Sequence, residues 1–137
     1  MKPGKIALLH LAMVPGDIDR NKQVIVEAVK HAAAVGAQWI ITPELAISGL
    51  QFAQVIGTDW IRPQPDAWMQ EFCRLVKSLK RTVFLCCPER ELHKLYNSVF
   101  VISPDGAIIG KHRKIHVVSD SLSWSSPGDS LVPVHCD

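Results

Sequence analysis

Two residue types in this chain could act together. Glu44 follows a short apolar run, QWIIT (residues 38–42), and a proline. Carboxylates are seldom desolvated without a partner, so an acid delivered by a buried strand either turns out to solvent or serves a site. Further along, GKHRKIH (110–116) gathers Lys111, Arg113 and Lys114 with His112 and His116. A carboxylate beside an ammonium has a definite use. The carboxylate takes a proton from a nucleophile, and the ammonium stabilises the oxyanion that then develops. The third member of such a set is the nucleophile, often a cysteine thiolate. On residue types alone, a solvent-facing acid and a solvated basic strand end remain open for Glu44 and Lys114.

The elements that would position these residues can be read from spacing. KIALLHLAM (5–13) reads as a buried strand. Residues 17–36 read as a helix, with Asp17 as N-cap and Gly36 just past its end. Val24, Val29, Ala32 and Ala33 return at helical spacing. Residues 38–42 form a second strand that delivers the chain to Glu44, and 48–64 read as loop. Residues 65–80 read as a second helix, with Trp68, Phe72, Leu75, Val76 and Leu79 in one stripe and Pro65-Asp66 at its start. TVFLCCPE (82–89), KLYNSVFVIS (94–103) and AIIGKHRKIHV (107–117) read as strands, with a turn at SPDG and Ser-rich loop over 118–130. Alternation of strand and helix followed by a hairpin is an α/β layout. Parallel strands joined by helices put site residues just beyond their carboxyl ends, where Glu44 falls.

Bulk properties exclude several classes. With 137 residues, 47% of them hydrophobic, the chain suits one modest domain and not a disordered segment. A net charge of +2 argues against nucleic acid and anionic membranes as partners, and no apolar run is long enough to span a bilayer. The N-terminal apolar run is broken by His10 and ends at Pro15-Gly16 without a small-residue cleavage site, so it reads as a strand and not as a signal peptide. The four cysteines, Cys73, Cys86, Cys87 and Cys136, match neither a zinc ribbon nor a CxxC motif, and are expected to be reduced thiols of a cytoplasmic protein. Cys86 and Cys87 should face opposite sides of a strand. His112 and His116 have a spacing that suits zinc on a helix, but their segment reads as strand and loop. Asn97 and Tyr96 are expected to hold the strand pair together, and Trp60 and Trp124 to be partly buried in loops. A nucleotide-binding domain is disfavoured because MVPGD after the first strand holds one glycine.

GAQWIITPELAISG resembles the segment around the catalytic glutamate of the nitrilase superfamily, the carbon–nitrogen hydrolases. LYNSVFVISPDGAIIGKHRKIHV resembles the following signature, which ends at the catalytic lysine, and SPGDS resembles the Pro-Gly beyond it. The resemblance runs over nearly the whole chain. It implies an α-β-β-α sandwich of which residues 1–137 are a single, incomplete domain, the N-terminal half. It implies Glu44 as general base and Lys114 as oxyanion stabiliser, a small amide or nitrile as substrate, and no metal or organic cofactor. The family's cysteine lies at the end of a later strand. Cys136 sits in LVPVHCD, an unsuitable context, so the chain alone is expected to lack the nucleophile and to be inactive. A second glutamate, often found between the lysine and the Pro-Gly, is missing, and residues 115–126 hold Asp120 as their acid. The partner is then a homo-oligomer or a complementing chain. The alternative is a degenerate, non-catalytic member used for binding or assembly.

Overall fold

Helix α1 (Ile18–Ala34) starts where Asp17 accepts a hydrogen bond from the Arg20 amide, and it stops at Val35 with Gly36 at φ 88°. The computed structural model describes residues 4–118 and 123–136. The buried stripe of α1 is Asn21, Ile25, Val29, Ala32 and Ala33, so Ile25 takes the place expected for Val24, which is only half-buried. Asn21 is buried because its side chain brackets Val14, accepting from the amide at 2.9 Å and donating to the carbonyl at 2.8 Å. Helix α2 is Phe52–Ile56, and helix α3 is Ala67–Leu79. Asp66 caps α3 by accepting from the Met69 amide at 2.8 Å.

The strands are β1 (Ile6–Leu8), β2 (Trp39–Ile41), β3 (Thr82–Glu91), β4 (Lys94–Ile102) and β5 (Ile108–Arg113). Among the described residues they form a five-stranded sheet in sequential order. The β1–β2 and β2–β3 pairs are parallel, while β3–β4 and β4–β5 are antiparallel. Period-two alternation sends Val83, Leu85 and Cys87 of β3 to one face, with Phe100 and Ile102 of β4. There they meet Ile25 and Val29 of α1 and Met69, Phe72 and Val76 of α3, all of them buried. Helices α1 and α3 therefore cover one face of the sheet. On the other face Ile6 and Leu8 are 55% and 68% exposed. Trp39 and Phe84 lie side by side there with ring centroids 5.5 Å apart.

Two sequence expectations are corrected. The first strand is three residues and not nine, because the strand it pairs with among the described residues is equally short. Leu9 donates the last bond to Ile41, and β2 then runs into Pro43, which has no N–H to continue a ladder. The expected loop over 48–64 contains α2. Phe52 is buried beside Leu45 and Ile61, with Trp60 and Trp124 edge-on to its ring at 5.4 and 4.9 Å. That is the partly buried role expected of both tryptophans. Cys86 and Cys87 do face opposite sides, with Cys87 1% exposed in the core. Asp120 and Ser121 of the Ser-rich stretch lie outside the described residues.

Phe72 is 2% exposed between α3 and the sheet, stacked on Trp68 at 5.1 Å. Phe72→Ala is expected to lower unfolding free energy by about 3–5 kcal/mol through lost transfer energy and the cavity left behind. A chemical denaturation midpoint unchanged from wild type would contradict this packing.

Candidate active site

The turn after β2 is pinned to β3. Thr42 donates its amide to the Phe84 carbonyl at 3.0 Å, and its hydroxyl oxygen accepts from the Cys86 amide at 2.9 Å. Ala46 donates to the Cys86 carbonyl at 3.0 Å. Between these anchors Leu45 adopts φ 51°, a left-handed conformation that costs a non-glycine residue about 1–3 kcal/mol. Burial of the Leu45 side chain beside Phe52 and Ile61 sustains it. Gly49, at φ +72°, closes the turn where a Cβ would sit 2.9 Å from the Pro15 backbone. Glu44 is thus held at the carboxyl end of a parallel strand by fixed backbone on both sides.

Lys114 comes from the first residue past β5. Its amide donates to the Asn97 carbonyl at 2.8 Å, and its carbonyl accepts from the Gly128 amide at 2.9 Å. A Cβ on residue 128 would lie 2.6 Å from the Arg113 carbonyl oxygen, which explains glycine in the SPGDS segment. The Lys114 ammonium donates to Glu44 Oε1 at 2.7 Å, and the Asn97 amide donates to the same oxygen at 2.7 Å. Among the described residues no other hydrogen bond to this carboxylate forms. The bond from Lys114 is the main reason the Glu44 carboxyl lies below the ordinary range; partial burial opposes it, and Asn97 adds to it.

That shift has a consequence for stability. A carboxyl whose folded pKa is depressed contributes stability above its unfolded pKa and loses it as pH falls through the folded value. The wild type is therefore expected to be more stable than Glu44→Gln near neutral pH, with the gap closing through acid pH below the ordinary glutamate range. Thermal melts of both proteins across that range check it. A gap independent of pH would contradict it.

Two cavities flank the pair. One, of about 490 Å³, is lined by Glu44, Cys86, Asn97, His112, Lys114 and His116, among others. A smaller one, of about 190 Å³, is lined by Glu44, Leu50, Gln51, Gln54, Lys114 and Trp124, among others. Larger depressions, of about 560 and 640 Å³, lie elsewhere, beside Trp39 and Arg81 and beside Cys73 and Asp105. Size does not locate chemistry here, because neither of those joins a carboxylate to an ammonium as Glu44 and Lys114 are joined. An anionic carboxylate next to a fixed ammonium can accept a proton, while the ammonium stabilises a neighbouring oxyanion.

The thiols are placed differently. Cys87 is sealed in the core, where burial pushes its pKa well up. Cys73 lies on α3, away from Glu44, in the depression beside Asp105. Cys86 reaches the larger cavity beside Glu44, but its thiol faces the Thr42 carbonyl at 3.6 Å, and burial raises its pKa, with the Glu44 charge adding to the rise. Cys136 faces the Val134 carbonyl at 3.8 Å and lines neither cavity. His112 and His116 both line the larger cavity, yet among the described residues no three His, Cys, Asp or Glu side chains cluster as metal ligands would.

Sequence reasoning missed Asn97 as a partner of Glu44. Its signal was an amide in the middle of a strand, where a buried polar group demands a partner. It also named Arg113 only as one cation of the 110–116 cluster, without its acidic partners. Arg113 is 16% exposed and binds Glu89, itself 2% exposed, together with Glu91.

The model for the carbon–nitrogen hydrolase family matches residues 5–134. A glutamine-dependent NAD(+) synthetase from Acinetobacter baylyi is 32% identical over 93% of this chain and 24% of its own length. An omega-amidase from Xenopus laevis is 29% identical over 93% of this chain and 49% of its own. The chain thus spans about half the length of the omega-amidase and less of the synthetase. Among solved structures, a branch 10 member of the nitrilase superfamily from Saccharomyces cerevisiae superposes with a TM-score of 0.82 at 23% identity, covering 96% of this chain and 51% of that one. An amidase from Nesterenkonia sp. gives 0.83 at 20% identity, over 95% and 50%. The mixed α/β fold is that of nitrilase-superfamily structures, matched over about half of each. No helix among the described residues is long and apolar enough to cross a membrane.

Proposed function

The chain belongs to the carbon–nitrogen hydrolase family, and from that premise we propose that it supplies the acid–base half of an amidase- or nitrilase-type active site. The observation that carries the reading is the convergence of Lys114 and Asn97 on one oxygen of Glu44, beside a cavity that all three residues line. Residues 1–137 are one incomplete domain. The exposed sheet face around Ile6 and Leu8 supports this, because a second layer would remove that apolar surface from water. The layer comes from further chain or from a complementing or identical subunit. Four unpaired thiols are in keeping with a reducing, cytoplasmic setting.

In this mechanism Glu44 takes the proton from a cysteine thiol as sulfur bonds to the substrate carbon. The π electrons of the carbonyl move to oxygen, where the Lys114 ammonium stabilises the charge. The carbon–oxygen bond re-forms, the carbon–nitrogen bond breaks, and the departing amine takes the proton from Glu44. Water then gives a proton to Glu44 and attacks the thioester, and the returning thiolate recovers that proton. The substrate is a small non-peptide amide, or a nitrile, to whose carbon the thiol adds with the proton passing through Glu44 to nitrogen. A first water converts the resulting thioimidate to the thioester with release of ammonia, and a second water hydrolyses the thioester as above. The thiol comes from outside residues 1–137, since Cys73, Cys87 and Cys136 do not face the site and Cys86 is turned to a backbone carbonyl.

A second reading, a non-catalytic binding or assembly module, is favoured by the missing glutamate between Lys114 and Pro127. Ammonia release from simple amides and nitriles separates the two. The chain alone is expected to release none, and the chain completed by a thiol-bearing second half to release it with turnover. Absence of turnover in the completed protein would favour the assembly module.

A further inference from the structure

One charge cluster is not used by this mechanism. Glu89 of β3 is 2% exposed and accepts from the Arg113 guanidinium and from Lys111 at 3.1 and 3.2 Å. Arg113 also forks onto Glu91 at 3.0 and 2.7 Å, and Lys111 approaches Glu91 at 3.8 Å. The guanidinium lies 3.8 Å from the centre of the Tyr96 ring. A fork and a stack together fix a guanidinium in both distance and plane. A buried carboxylate without these partners would be strongly destabilising, so the arrangement is over-determined and not a loose surface pair.

The cluster sits one residue before Lys114, on the opposite side of the strand. Antiparallel pairing sets Glu89 against Tyr96 and Ser98 against Arg113, so these residues share a face. Asn97 and Lys114 alternate to the other face, where Glu44 waits. With Arg113 clamped, the strand cannot rotate about its axis or slip by one residue, either of which would carry Lys114 away from Glu44. The Gly128 contact against the Arg113 carbonyl closes the same turn from outside.

We infer that Arg113, clamped by Glu89, Glu91 and Tyr96, is the positioning residue that holds the Lys114 ammonium against Glu44. This deepens the proposed function and rests on that reading for its catalytic meaning. Its test reads the ion pair itself, so the positioning and the catalysis can fail separately.

The experiment is an NMR titration of the Glu44 carboxyl in the 137-residue chain, with Arg113→Lys and Glu91→Gln beside wild type. Arg113→Lys keeps the charge and loses the fork and the stack. The Glu44 midpoint is expected to move up toward the ordinary glutamate range, because its largest stabilising bond slackens. Glu91→Gln gives a test of sign. Removing an anion acts on Glu44 directly by lowering its midpoint, whereas loosening the clamp raises it. The expected shift is upward. Glu91 is half exposed and its replacement keeps the Glu89 pair, so this variant decides the matter if Arg113→Lys does not fold. A Glu44 midpoint that stays in place or falls in the folded variants, even with a lowered melting temperature, would make the cluster purely structural and overturn the inference.

Discussion

Glu44→Gln is expected to lower kcat of the completed hydrolase by about 10²–10⁴-fold, the range that a positioned general base supplies. Glutamine keeps the shape and can still accept from Lys114 and Asn97, so the turn after β2 should stand. What it lacks is a lone pair basic enough to take a thiol proton. The loss should therefore fall on kcat and on kcat/KM alike, with KM little moved, as when a group acts only in the transition state. Steady-state kinetics on a simple amide decides it. Retention of more than a tenth of wild-type kcat would remove Glu44 from the role of base.

Lys114→Met is expected to cost about 10²–10³-fold in kcat, the loss measured when an oxyanion donor is removed. Methionine preserves most of the stem and its packing while deleting the charge. A second signature accompanies the loss. The ammonium is the largest cause of the depressed Glu44 pKa, so without it the acid limb of the kcat/KM profile should move up in pH. A loss of rate with the acid limb unmoved would mean that Lys114 acts apart from Glu44. The two residues share a hydrogen bond, so the double variant should lose less than the product of the single losses.

How much of this was legible in the sequence depended on the range of the interaction. Helix α1 was readable because Asp17 and Gly36 mark its ends locally, and α3 because its apolar stripe repeats every turn. The α/β class followed from the order of such local signals. The length of β1 was not readable, since a strand ends where its neighbour stops pairing, and that neighbour is thirty residues or so away in sequence. Helix α2 was hidden because five residues carry too little periodicity. Glu44 and the basic run over 110–116 stood out by residue type and placement, but the choice of Lys114 from that run and the role of each residue came only through the resemblance of their segments to a known family. The side-chain partners of Asn97 and Arg113 were not readable for one reason. Their partners are set by antiparallel register, which joins Glu89 to Arg113 and puts Asn97 beside Lys114. A run of Lys and Arg looks solvated until the acids across the ladder are known.

The most direct test of the account is to find the sulfur that carries the acyl group. The native protein, with whatever chain completes it, is mixed with a small amide and quenched in acid during turnover. The acylated cysteine is then located by mass spectrometry. The account predicts an acyl thioester on a cysteine outside residues 1–137, lost when Glu44 is replaced by glutamine. An acyl group on Cys86 or Cys136, or turnover without any thioester, would contradict it.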